Sequence, residues 1–345
     1  MKKFINKTIL FVLPVFILIV SVNYFGDAAR LFANDYEKGM AEIISNGYNV
    51  TNISNFDERL FQKEIIFNKN VIQPDIVVLG SSRSMHINSN LFPNTSFFNS
   101  SVSGASIEDL IGIYQLYKEN NKLPKKIIIG IDPWMFKENK NNTGRWKSIS
   151  EYYYNFYGIK KTTQSFDKYK ELYSISYFQS SLKLIPNLFL SENEPAQTKN
   201  KYNKLNTKLT DGSLVYGVSF RDATQSEIDA KIKKYIKGDI YNIEGMHEIS
   251  KNKFKEFEKL INELKNNKLE IVFFLAPYAP TVYDFLEKKY KVVIEVEKVI
   301  RDFAILKNIQ IYGSYDPYLF DLDKTCFYDG MHCKENAINE IFRHN

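Results

Sequence analysis

Two short motifs at opposite ends of the chain carry residues that could act together in catalysis. Gly80-Ser81-Ser82-Arg83 directly follows an apolar run, and Asp329-Gly330-Met331-His332 lies close to the C-terminus. A serine hydroxyl is a weak nucleophile until a base takes its proton, and a histidine oriented by an aspartate is such a base. The motifs therefore predict Ser82 as nucleophile, His332 as base and Asp329 as the orienting acid. This chain order favours a serine hydrolase or acyltransferase.

Such a reaction also needs hydrogen-bond donors for the negative charge that develops on the tetrahedral intermediate. The backbone N–H of Ser82 is one candidate donor, and that of Gly104 is another. A glycine lets the backbone approach the reacting atom closely, and the N-terminus of the following helix adds positive potential. The alternative for Gly104 is an ordinary turn between a strand and a helix.

The elements that must position these residues alternate along the chain. Short apolar runs predict strands at 76–79, 126–131, 269–275 and 309–312, with a weaker candidate at 96–99. Helical spacing of apolar residues covers 107–117, 249–264, 281–306 and 335–342. Continuous apolar strands between helices indicate a parallel sheet covered on both faces, so we expect a three-layer α/β/α sandwich with five parallel strands. Sites form beyond the carboxyl ends of such strands, where Ser82, Gly104 and Asp132 fall.

The motifs Gly80-x-Ser82, Gly104 and Asp329-x-x-His332 resemble those of the SGNH (GDSL-type) hydrolase superfamily. The resemblance covers roughly residues 70–136 and 268–345. It implies a flavodoxin-like α/β fold, a catalytic triad of Ser82, Asp329 and His332, and an oxyanion donor at Gly104. It implies no cofactor and no metal.

Two positions depart from the pattern of that superfamily. The usual Gly-Asp-Ser is Gly-Ser-Ser here, with Ser81 in the place of the aspartate. The third-block asparagine is absent, and Asp132 follows the predicted strand instead. An anionic Asp132 cannot donate to an oxyanion, so either it has another task, such as orienting Arg83 or binding an amine, or the third donor comes from elsewhere. Arg83 is a candidate for that donor, and the alternative is a salt bridge to Asp132.

The N-terminal segment predicts a membrane anchor. Three lysines within the first seven residues precede an uncharged run from Thr8 to Phe25, which as a helix would rise about 27 Å, close to a bilayer core. Basic residues before the run and Asp27 after it place the N-terminus in the cytoplasm. We therefore expect a single-pass protein of the cell membrane with its remaining chain outside. The alternative is a signal peptide cleaved near residues 26–28.

These patterns divide the chain into an anchor with its cytoplasmic tip (1–25), a polar helical stalk (26–70) and an SGNH-like domain (71–345). Within the domain, residues 137–248 are rich in Tyr, Lys, Asn and Ser and interrupt the alternation of strands and helices. We expect this stretch to be an inserted, mostly helical subdomain or lid near the site. The alternative is a flexible surface insertion.

The charge distribution and the cysteine content restrict the classes of partner and metal ligand that we expect for this chain. The net charge of +6 is spread along the chain, and its lysine-rich stretches lack clustered arginines, so they predict solvated faces and no nucleic-acid partner. They favour contact with an anionic polymer or a membrane surface. Cys326 and Cys333 bracket the Asp-x-x-His loop and form either a disulfide or two unpaired thiols. Their spacing is poor for zinc.

The combination of Gly-Ser-Ser with an N-terminal anchor is also similar to proteins that transfer D-alanyl groups to teichoic acids, and to SGNH-like proteins that work with membrane-bound O-acyltransferases on surface polysaccharides. The resemblance implies an acyl-Ser82 intermediate and a cell-envelope glycopolymer as partner. We expect a serine esterase or acyltransferase, with both reactions open because they share the triad. The alternative is a catalytically degenerate domain that binds glycan or scaffolds an envelope complex.

Overall fold

The structure is a computed structural model of the chain and describes residues 2–26, 35–53, 56–138, 144–159, 169–188, 194–237, 240 and 243–343. Its strands are β1 (Asn49–Thr51), β2 (Ile76–Leu79), β3 (Phe97–Asn99), β4 (Lys126–Gly130), β5 (Ala196–Thr198), β6 (Thr207–Lys208), β7 (Leu214–Val215), β8 (Glu270–Leu275) and β9 (Gln310–Gly313). Its helices are α1 (Lys2–Gly26), α2 (Asp35–Ser45), α3 (Glu58–Phe67), α4 (Ile107–Glu119), α5 (Ser150–Phe156), α6 (Ile175–Leu188), α7 (Val218–Arg221), α8 (Gln225–Lys237), α9 (Lys251–Asn266), α10 (Pro280–Lys289), α11 (Val292–Lys307) and α12 (Glu335–Arg343).

A parallel sheet of five strands lies at the centre, in the order β3-β2-β4-β8-β9. The predicted mixed α/β fold with a five-stranded parallel sheet is therefore confirmed. Counted along the chain within this sheet, the order is 2-1-3-4-5, and the strand sequence reverses direction between β2 and β4. In doubly wound sheets of this order, ligand sites form in the crevice at the carboxyl ends of the two strands that flank the reversal. Ser82 follows β2 and Asp132 follows β4, so both lie at that crevice.

Helices cover both faces of this sheet. Phe273 and Phe274 are neighbours in β8, so their side chains point to opposite faces. Phe257 of α9 packs on Phe273 with ring centroids 5.6 Å apart, and Phe342 of α12 stacks on Phe274 at 5.7 Å. The two helices therefore lie on opposite sides, and the apolar core occupies the space between each helix layer and the sheet.

Local sequence signals explain the helix bounds near the site. Ser106 caps α4, and its hydroxyl and backbone N–H form a reciprocal capping box with Asp109. The predicted single helix over 281–306 is instead two helices, α10 and α11. Tyr290 ends α10 in a non-helical conformation (φ −127°, ψ 62°). The apolar spacing continues across this break, which is why periodicity alone does not detect it.

The predicted stalk and the predicted helical insertion pair with each other in the structure. Strand β1, from the stalk segment, pairs with β5 and β6 of the insertion, and β6 pairs with β7, which gives an antiparallel sheet in the order β5-β1-β6-β7. Helices α2 and α3 of the stalk segment pack around β1 in a small core. Over its described part the segment 35–67 is thus packed against the domain, while residues 27–34 lie outside the described residues. The insertion contains strands as well as helices.

The described part of the chain contains no helix that is long and apolar enough to cross a membrane. The predicted anchor over residues 8–25 finds no support in the structure.

Candidate active site

The two motifs of the sequence analysis meet at the carboxyl end of β2. Ser82 opens a short 3-10 helix, Ser82–Ser84, that is capped by the Ser81 hydroxyl accepting from the Arg83 N–H. The Ser82 Oγ lies 2.9 Å from the Nε2 of His332, although 250 positions separate the two residues in the chain. This is the distance at which a base can take a proton from the hydroxyl.

Asp329 fixes the imidazole from the other side. The Nδ1 of His332 lies 2.8 Å from Oδ2 of Asp329, so Nδ1–H donates and Nε2 keeps its lone pair for Ser82. Asp329 Oδ1 also accepts from the backbone N–H groups of Met331 (2.8 Å) and His332 (3.0 Å). Burial alone would raise the pKa of Asp329, but the His332 charge and these hydrogen bonds lower it overall. Both side chains keep some solvent contact, at 16% exposure for His332 and 21% for Asp329.

The two backbone N–H groups that the sequence offers as oxyanion donors, those of Ser82 and Gly104, are unengaged: within the described residues, neither has a hydrogen-bond acceptor. Gly104 has φ +59°, a left-handed conformation that residues with a Cβ adopt only at a cost. It precedes α4, whose positive end faces the same turn. Its positive φ and the helix that follows it agree with the sequence analysis, and its role as an oxyanion donor stays a prediction.

Helix α3, in the predicted stalk, holds the loop that carries Gly104. Glu58 accepts hydrogen bonds from the N–H and the hydroxyl of Ser103. Arg59 donates to the Ser103 carbonyl at 2.9 Å and forms a two-pronged pair with Asp109. Arg59 is 2% exposed, so this ion pair is buried and well hydrogen-bonded, the condition under which such a pair is retained. No local sequence pattern marks this contact, so it could not be predicted from the sequence.

Arg83 and Asp132 form a buried salt bridge, which is the alternative that the sequence left open for Arg83. Arg83 Nη1 lies 2.8 Å from Asp132 Oδ1, with side-chain exposures of 0% and 2%. The other guanidinium nitrogens donate to the Met331 carbonyl (Nε, 3.1 Å) and to the Ala276 carbonyl (Nη2). The group also lies 3.9 Å from the centroid of the Tyr278 ring. Three guanidinium nitrogens of Arg83 and one carboxylate oxygen of Asp132 are engaged in these contacts. The structure therefore shows the salt bridge, and the oxyanion and substrate-binding roles of the two residues stay predictions.

The contacts of Arg83 connect four segments around the site. Arg83 joins the nucleophile turn after β2 to the loop after β4, to the loop after β8 and to the Asp329–His332 loop. Burial lowers the pKa of Arg83, but neighbouring Tyr278 and Asp132 raise it overall, so the group stays charged. Arg83 therefore holds the loop that carries His332 in position relative to the turn that carries Ser82.

A hairpin of the insertion, β6–β7, docks against the nucleophile turn. Leu214 N–H donates to the Met85 carbonyl (2.9 Å), and the His86 Nδ1 lies 2.7 Å from the Leu214 carbonyl. At its tip, the Asp211 carbonyl accepts from the Asn99 N–H (2.8 Å). Gly212 (φ +77°) lies so close to Asn99 that a Cβ there would stand 2.5 Å from the Asn99 carbonyl oxygen. The hairpin is therefore the part of the predicted insertion that lies at the site, and no sequence pattern predicted it.

Aromatic rings from this hairpin and from the C-terminal loop surround the base. Tyr216, just after β7, packs edge-on against the His332 ring with centroids 6.0 Å apart, and against Tyr328 at 5.0 Å. It also contacts the His86 ring at 4.7 Å. Burial lowers the pKa of His86 to about 4, and the His332 charge adds to this while the Leu214 hydrogen bond opposes it. His86 is therefore a neutral neighbour of the triad at neutral pH.

Both cysteines are free thiols in the structure. Phe327 and Cys333 form an isolated antiparallel bridge that closes the base of the Asp329–His332 loop. Cys333 is buried, and burial raises the pKa of its thiol to about 12. Backbone hydrogen bonding rather than a covalent bond closes this loop.

No family model matches the chain, and a search of curated proteins finds no significant relative. The assignment of a function therefore depends on the geometry of the site.

Proposed function

We propose that this protein is an SGNH-type serine esterase or acyltransferase that acts through an acyl-Ser82 intermediate on a cell-envelope glycopolymer. The observation that carries the proposal is the hydrogen-bonded series from Ser82 Oγ through His332 to Asp329. The 2-1-3-4-5 strand order and the helices on both faces support the finer assignment to a three-layer, flavodoxin-like sandwich.

The chemistry follows from the donors and acceptors in place. His332 Nε2 takes the Ser82 proton while the serine oxygen attacks the acyl carbonyl carbon of an ester. The oxyanion accepts hydrogen bonds from the Ser82 and Gly104 N–H groups, and Asp329 stabilises the imidazolium. When the intermediate collapses, the ester bond breaks and His332 returns the proton to the leaving alcohol oxygen. Water or a polymer hydroxyl then attacks acyl-Ser82 with His332 again as base, which releases an acid or a new ester.

A fluorophosphonate probe tests this proposal directly, because it reacts with activated serines. We expect stoichiometric labelling of the wild type and none of Ser82→Ala, with Asp329→Asn labelled at least about tenfold more slowly because the imidazole loses its orienting charge. Ser148→Ala, at a half-buried serine outside the site whose hydroxyl donates to the Arg145 carbonyl, is the matched control and keeps the wild-type rate. An unlabelled wild type, or equal labelling of Ser82→Ala, contradicts the proposal.

The acyl group and the acceptor need a second measurement. Intact mass after incubation with candidate ester donors identifies an acyl adduct, which must be absent in Ser82→Ala. Product analysis with and without an acceptor polymer separates ester hydrolysis from transfer.

The glycopolymer, a membrane-bound acyltransferase as partner, and the extracytoplasmic, membrane-anchored location are part of the proposal on the strength of the sequence resemblance alone. The non-catalytic alternative, a glycan-binding or scaffolding domain, predicts no adduct and full polymer binding by Ser82→Ala.

A further inference from the structure

A lysine side chain is buried beside the nucleophile turn. Lys208 ends β6 and is 2% exposed, with its Nζ 6.0 Å from the centroid of the Phe61 ring. In the β6–β7 pair it stands directly opposite Leu214. Leu214 in turn binds the backbone of Met85 and the ring of His86. The backbone of Lys208 therefore lies one strand away from the segment that follows Ser82.

Among the residues that the structure describes, this ammonium has no hydrogen-bond acceptor and no carboxylate at ion-pair distance. The two carboxylates that act on it electrostatically are Glu58 and Asp211, and both are engaged elsewhere. Glu58 binds the N–H and hydroxyl of Ser103, and Asp211 binds the N–H and hydroxyl of Ser213. Buried charges in proteins are normally paired because desolvation is costly. A buried, unpaired lysine therefore needs an explanation other than stability.

The surroundings of Lys208 connect it to the triad. The Nε2 of His86 is also buried without a hydrogen-bond partner, and the charges of both His332 and Lys208 act on this imidazole. Tyr216 follows Leu214 by two residues, a spacing that puts both on one face of an extended chain, and its ring packs against His332 and His86. The β6–β7 hairpin thus brings the unpaired ammonium group of Lys208 and the aromatic ring of Tyr216 to the same side of the site.

We propose that Lys208 binds an anionic oxygen of the substrate, of the carboxylate or phosphate type, next to the acyl-transfer centre. An ammonium offers three donors and no acceptor, and in a site of low dielectric it attracts an anion far more strongly than in water. The same charge repels a cationic group such as an aminoacyl ammonium. This inference rests on the proposed function and adds a substrate class to it: a dicarboxylic acyl group, or an acceptor polymer that carries phosphate.

Anion binding tests the site without requiring turnover. Titration calorimetry with inorganic phosphate and with succinate, at constant ionic strength in chloride, should give binding to the wild type and at least tenfold weaker binding to Lys208→Met. Lys122→Met is the matched control, because the Lys122 Nζ already donates to the carbonyls of Ile66 and Asn68, and it should bind like the wild type. Lys208→Arg, which keeps the charge, should restore part of the affinity. Equal affinity in wild type and Lys208→Met, or no anion binding by the wild type, overturns the site.

Two substrates then separate the sources of the oxygen. If it belongs to the acyl group, Lys208→Met lowers kcat/KM for a p-nitrophenyl hemisuccinate ester at least tenfold and leaves the acetate ester unchanged. If it belongs to the acceptor, both esters are unchanged and transfer to poly(glycerol phosphate) falls at least tenfold. Either result supports the proposal, and a variant unchanged in all three assays contradicts it. Fluorophosphonate labelling of the same samples distinguishes failure of the anion site from failure of the proposed function. If the protein is labelled but Lys208→Met changes none of the three assays, only the anion site is overturned.

Discussion

The buried pair of Arg83 and Asp132 yields the sharpest stability prediction. Replacing Arg83 with Met keeps most of the side-chain volume but removes the donors to the Asp132 carboxylate and to the carbonyls of Met331 and Ala276. Asp132 is 2% exposed, and one of its oxygens, Oδ2, already has no hydrogen-bond partner. The substitution therefore leaves a buried carboxylate with no counter-ion.

The expected cost follows from that geometry. Breaking a buried pair by removing one partner costs about 3–5 kcal/mol of unfolding free energy, because the remaining charge is uncompensated. In Arg83→Met/Asp132→Asn the stranded charge is gone, but two buried carbonyls still lack donors, at about 1–3 kcal/mol each. Arg83→Met carries the same loss in addition to the cost of the stranded charge. Lys63 pairs with Glu151 at the surface with side-chain exposures of 25% and 40%, and Lys63→Met should cost about 0–1 kcal/mol. The double variant should thus be more stable than Arg83→Met alone.

Urea unfolding followed by circular dichroism measures these differences, and fluorophosphonate labelling in the absence of denaturant measures the site. Because Arg83 holds the Met331 carbonyl, its loss should also displace His332 and slow labelling of the folded protein about 10- to 100-fold. Lys63→Met should label at the wild-type rate. An Arg83→Met protein that unfolds at the wild-type midpoint, or a double variant less stable than the single one, would refute the reasoning.

Three further predictions concern burial around the site. Because the pKa of His86 falls to about 4 on folding, the unfolded chain binds the extra proton first, so unfolding free energy should decrease by up to about 3 kcal/mol as pH falls from about 6.5 to about 4. His86→Asn, which keeps a donor for Leu214, should flatten this dependence in urea titrations at pH 7 and 4.5, and an unchanged slope would exclude His86 as its source. Gly130→Ala should destabilise by about 1–3 kcal/mol, since its Cβ would overlap the Ser84 hydroxyl; thermal unfolding of Gly130→Ala/Ser84→Ala should recover part of the loss, and a fully additive double variant would count against the overlap. Iodoacetamide at pH 8 should leave Cys333 unmodified in the folded protein, because burial raises the pKa of its thiol to about 12, and should modify both cysteines in denaturant without reductant; mass spectrometry that finds neither cysteine alkylated there would indicate a disulfide.

The sheet and the triad could be predicted because their signals are local. The strands that carry the nucleophile turn are unbroken apolar runs, and the Ser106 cap of α4 is readable from the spacing to Asp109. Ser82 and His332 could be paired without a structure because each lies beside a predicted element of one sheet. These signals depend on neighbouring residues, which a sequence displays directly.

The remaining parts of the site depend on contacts between distant polar residues. The sequence is compatible with two roles for Arg83, because only the tertiary structure shows that its nitrogens are engaged. The hairpin escaped detection because β6 and β7 have two residues each, too few for any alternation to appear. The hydrogen bonds between Glu58 and Ser103 join residues that are 45 positions apart in the chain, and they follow no periodic pattern. Polar contacts of this kind are specified by geometry rather than by composition.

The long separation of Ser82 and His332 has a consequence for when the site forms during synthesis. The partners of the site come from the first quarter of the chain, from its middle and from its last seventeen residues, and the Ser82–His332 contact spans 250 positions. Closing so long a loop is entropically costly and slow compared with local folding. In a ribosome-bound chain the Ser82 hydroxyl thus has no imidazole partner until residues 329–332 have emerged and docked. Under the proposed function, Ser82 becomes reactive only in this late step, and truncated or stalled products should not react with a fluorophosphonate.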